Sequence, residues 1–102
     1  GNFLIRVIER KIKSGVSPLQ ALKTTYGCDI MADNIKEAHE RLLTTASKVS
    51  GQLPSLEWCE AVGTNVVRGD ALTYDWEFKP SKHIKQYAEA LMQHVLPLCK
   101  IN

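Results

Sequence analysis

Residues 33–49, Asp33-Asn34-Ile35-Lys36-Glu37-Ala38-His39-Glu40-Arg41-Leu42-Leu43-Thr44-Thr45-Ala46-Ser47-Lys48-Val49, form the stretch on which the fold turns. Ile35, Ala38, Leu42, Ala46 and Val49 recur at steps of three or four, the spacing that lines one side of an α-helix. Asp29 or Asp33 is placed to cap its start, and Ser50, Gly51 and Pro54 break it.

Towards the C-terminus, Ser55 opens a shorter helix in which Leu56, Cys59, Val62 and Val66 mark one side. Gly63 weakens that helix by about 1 kcal/mol relative to Ala, and Gly69 is a suitable terminator. From Ala71 to Phe78 the period changes to two. Leu72, Tyr74, Trp76 and Phe78 alternate with Thr73, Asp75 and Glu77, which predicts an extended segment with one apolar side. It needs a backbone partner, and Val66 and Val67 across Arg68-Gly69-Asp70 offer a short hairpin at the expense of the end of the helix before them. Ser81 then caps a last helix to about Leu96, with Ile84, Ala88, Leu91 and Val95 inward and Pro97 ending it.

Towards the N-terminus, Gly27 is placed to close a helix running from Pro18 to Tyr26. Ser17, Pro18 and Gln20 supply its cap, its first position and a capping box. Residues 3–13 read as another helix, with Leu4, Ile5, Ile8 and Ile12 on one face and Arg6, Arg10 and Lys13 on another; Ser14 and Gly15 end it. The expected fold is therefore mainly α: a compact bundle of about five helices with one short extended segment or hairpin near residues 66–78.

The 102 residues, 44% hydrophobic and 24% charged, have the composition of a single globular domain, residues 1–102, able to bury roughly 65% of its unfolded surface. No run reaches the roughly 18 to 20 apolar residues of a membrane span, and the start lacks a signal-peptide layout. Because residue 1 is not Met, we expect a segment of a larger protein. Cys28, Cys59 and Cys99 form neither a C-x-x-C pair nor an even set, which points to buried free thiols and an intracellular, cytoplasmic setting.

The formal net charge of +2 hides a segregation. Residues 1–25 carry Arg6, Arg10, Lys11, Lys13 and Lys23 against Glu9; residues 26–78 carry four cations against nine acids; residues 79–102 carry Lys79, Lys82, Lys85 and Lys100 against Glu89. Packed side by side, the first and last helices would join Arg6, Arg10, Lys13, Lys82 and Lys85 in one positive face suited to phosphates or an acidic protein. The pI near 8.5 lies below the value above 9 typical of a dedicated nucleic-acid module.

Motifs for chemistry are sparse. Asp29, Asp33, Glu37 and Glu40 form an acidic stripe at helical spacing, but Glu37 also pairs with Arg41 at i,i+4, so a structural role is expected. His83 and His94 would lie about 16 Å apart on one helix, too far to share an ion. His39 has no helical His partner, and each His is expected at the surface or its boundary. No phosphate-loop, dinucleotide, zinc-protease or nucleophile-elbow string occurs, so we expect no enzyme, no metal and no cofactor; scattered acids such as Asp70, Asp75 and Glu77 are the residual catalytic alternative.

Gly69-Asp70-Ala71-Leu72-Thr73-Tyr74-Asp75-Trp76 resembles a Gly-Glu-Glu-Leu-Thr-Tyr-Asp-Tyr segment of SET-domain lysine methyltransferases over eight positions. That family's preceding Asn-His-Ser segment has no counterpart, and the flanks read as helices where the family has short strands, so no activity is taken from it. Ala21 to Arg41, with Gly27 near its middle, resembles a helix-turn-helix, whose acidic stripe would face phosphate unfavourably if it lay on that surface. The function expected is a non-catalytic interaction or regulatory module that binds a partner protein within a larger protein, through Leu72, Tyr74, Trp76 and Phe78. The alternative is nucleic-acid binding by the basic terminal helices.

Overall fold

The computed structural model of the chain describes residues 2–29, 32–68 and 83–99. Five helices and two three-residue strands follow one another as α1 (Asn2–Lys13), α2 (Pro18–Lys23), β1 (Gly27–Asp29), α3 (Ala32–Ser50), α4 (Leu56–Asn65), β2 (Val66–Arg68) and α5 (Ile84–Cys99). The protein is the mainly α bundle that its apolar periodicity calls for.

Helix α3 occupies the middle. One side of it receives α1, another receives α5, and α4 packs against α5 and α2. The core joins Ile8 of α1, Ala21 and Leu22 of α2, Leu42, Leu43 and Ala46 of α3, Trp58, Cys59, Ala61 and Val62 of α4, and Ala88, Leu91 and Val95 of α5. Leu4, Ile5 and Ile12 lean on it from α1 and Ile35 and Ala38 from α3, as the spacing predicts. Leu56 departs from its expected inward place and is 39% exposed, while Trp58 fills the core instead.

The helix starts follow local chemistry. Ser17 Oγ accepts the Gln20 N–H at 3.2 Å with Pro18 in the first turn, and Ser55 Oγ accepts the Trp58 N–H at 3.4 Å. Gly15 at φ +105° and Gly51 at φ +74° turn the chain out of α1 and α3, a conformation that costs glycine little.

Three boundaries differ from expectation. Helix α2 stops at Lys23, not Tyr26, and Gly27 does not close it. The Thr24 N–H and hydroxyl both donate to the Gln20 carbonyl, and the Thr25 hydroxyl donates to that of Ala21, so the helix end is satisfied three residues early. Gly27 instead starts β1, where a Cβ would lie 2.7 Å from Leu4 Cδ1; its role is close approach. Pro97 does not end α5 either, which runs on to Cys99. In a last, exposed turn the missing N–H leaves a carbonyl that water reaches, so the usual cost of an internal proline falls.

The third difference concerns the strand. Helix α4 ends at Asn65 without reaching Gly69, and Val66–Arg68 is extended, as the hairpin alternative requires. Its partner among the described residues is β1, in parallel, with Gly27 opposite Val66, Cys28 opposite Val67 and Asp29 opposite Arg68. The hairpin's other arm, residues 71–78, lies outside the described residues, as does the Ser81 cap.

Candidate functional site

The expected contact residues Leu72, Tyr74, Trp76 and Phe78 lie outside the described residues, and so does Lys82. Arg6, Arg10 and Lys13 are exposed on α1, and Lys85 is exposed on α5. Among the described residues α1 packs on α3 and α2, whereas α5 packs on α4 and α3. The helix-turn-helix resemblance dissolves, since a strand separates α2 from α3.

The cations of α1 divide into two sets. Lys11 reaches across to the end of α2, where its Nζ donates to the Thr24 carbonyl at 2.8 Å and to the hydroxyls of Thr24 and Thr25 at 3.0 and 3.1 Å. A lysine at a helix C-terminus satisfies free carbonyls and complements the dipole. Asn65 completes that cap, its Nδ2 donating to the Lys23 carbonyl at 2.7 Å and towards that of Leu22 at 3.4 Å. Lys13 pairs with Glu9 at 3.8 Å. Arg6 and Arg10 have no such partner among the described residues. Like charges at i,i+4 destabilise a helix by about 0.2–0.5 kcal/mol, while Arg10 in the last turn of α1 complements its dipole.

A polar junction lies between α3, β2 and α5. His39 is 3% exposed, not a surface residue as expected. Its Nε2 lies 2.6 Å from the Val66 carbonyl oxygen and its Nδ1 2.6 Å from the Tyr87 hydroxyl. A carbonyl only accepts, so Nε2 carries the hydrogen and Nδ1 accepts from the Tyr87 O–H. The Tyr87 ring also meets the imidazole edge-on at 5.5 Å between centroids. Burial holds His39 below its ordinary value of 6.5, against the Val66 hydrogen bond and the charge of Glu40, which push upward. Burial first, then the charges of Glu40 and Cys59, pushes the Tyr87 phenol up to about 12. Both groups stay neutral and serve as fixed bonds. The signal for His39 was present in its phase, four residues after Ile35 and four before Leu43; its partners were not.

Two acids of α3 are engaged in pairs. Glu37 pairs with Arg41 at 2.7 Å and Glu40 with His94 Nε2 at 3.2 Å, so these two acids of the α3 stripe are occupied. Cys59 and Cys99 are buried free thiols, as expected, and burial, aided by Cys99 and Glu60, raises that of Cys59 to about 11, far from a reactive thiolate. Among the described residues no three His, Cys, Asp or Glu side chains gather to hold a metal, and no helix is long and apolar enough to cross a membrane.

At the far end of the α3/α5 pair the pattern reverses. Helices α4 and α5 run antiparallel: a Cβ on Gly63 would lie 2.6 Å from Ile84 Cδ1 and 3.4 Å from Tyr87 Cδ2, so glycine there lets the end of α4 approach the start of α5. The start of α4 consequently meets the end of α5. Leu53 (54% exposed) precedes α4, Leu56 starts it, and Leu98 (60% exposed) lies near the end of α5. Leu98 lines an open groove of about 510 Å³ together with Thr44, Thr45, Ser47, Lys48 and Cys99. Periodicity places Leu56 inward and gives no sign of Leu53, in the loop before α4, or of Leu98, past a proline. Compared with known proteins, the chain matches no protein family, no curated protein and no solved structure.

Proposed function

We propose that this chain is a non-catalytic interaction module that binds a partner protein within a larger intracellular protein. One observation carries the reading. Every buried side-chain nitrogen and oxygen among the described residues has a hydrogen-bond partner, while Leu53, Leu56 and Leu98 are left in water. Exposed large apolar side chains, one of them lining a groove, support a contact surface. Leu72, Tyr74, Trp76 and Phe78 remain a second proposed contact.

The test is affinity capture from an extract, comparing the wild-type chain with a Leu53→Ser, Leu56→Ser, Leu98→Ser variant whose unfolding curve is unchanged. A stoichiometric protein held by the wild type and released by the variant supports the reading. If nothing is held, or if the retained material is nuclease-sensitive and released steeply by salt, the reading gives way to nucleic-acid binding through the basic helices. Trp76→Ala in the same assay separates the two proposed contacts.

A further inference from the structure

We draw no further inference here: the strongest candidate, the open groove of about 510 Å³ between the ends of α3 and α5 lined by Lys48, Leu98 and Cys99, belongs to the contact surface already proposed, and nothing among the described residues shows what covers it.

Discussion

The two ends of the α3/α5 pair follow opposite rules. At the β2 end, polar groups are taken out of water and each is given a partner: His39 donates to Val66 and accepts from Tyr87. At the other end, Leu53, Leu56 and Leu98 are left exposed, and Leu98 lines an open groove. Removing a partner from the first end leaves a buried group unpaired and costs stability; removing a leucine from the second costs the fold little. The difference separates side chains that hold the shape from those with no evident duty inside it, and it can be tested as such.

The largest effect is expected from His39→Ala. It strands the Val66 carbonyl and the Tyr87 hydroxyl and opens a void, for a loss of about 3–5 kcal/mol by urea denaturation. A loss under about 1 kcal/mol would mean that water replaces the imidazole and that the junction does not bind the three elements together. In the wild type the same residue makes stability depend on pH. The unfolded chain takes up a proton near 6.5, whereas folded His39 resists until lower pH, so its contribution is complete above 6.5 and declines as pH falls towards the folded value. Urea midpoints between about pH 5 and 8 should show this slope, and His39→Gln should flatten it.

Next comes Asn65→Ala, which uncaps α2 by freeing the carbonyls of Leu22 and Lys23; a loss of about 1–2 kcal/mol is expected, with faster amide exchange in α2 than elsewhere. The smallest effect belongs to the exposed end. Leu53→Ser with Leu98→Ser should alter unfolding free energy by no more than about 0.5 kcal/mol. A large drop there would place the leucines in the fold's own support and erase the contrast between the ends.

The helices were legible because their signals are local. Ser17 and Ser55 cap by reaching three residues along the chain, and Ile35, Leu42 and Ala46 advertise a buried side by spacing alone. The misread positions answer to distant neighbours instead. Gly27 looks like a helix stop until Leu4 is found against it, and its pairing in parallel with Val66 has no local sign at all. Of the candidate surfaces, the exposure of Arg6 and Arg10 was readable from their phase on α1, but the packing of both α1 and α5 on α3 was not. The lysine that looked like surface charge, Lys11, turned out to be a cap for a helix thirteen positions further on. Chain distance hides such partnerships.

The parallel β1–β2 ladder has a kinetic consequence. Its paired residues, Gly27 and Val66, are 39 positions apart, and the whole of α3 and α4 lies in the loop they close. Closing so long a loop for a three-residue ladder is entropically unfavourable until the intervening helices have docked. During refolding, protection of the strand amides should therefore lag behind that of α3 and α4, making the ladder a late seal on an already assembled bundle.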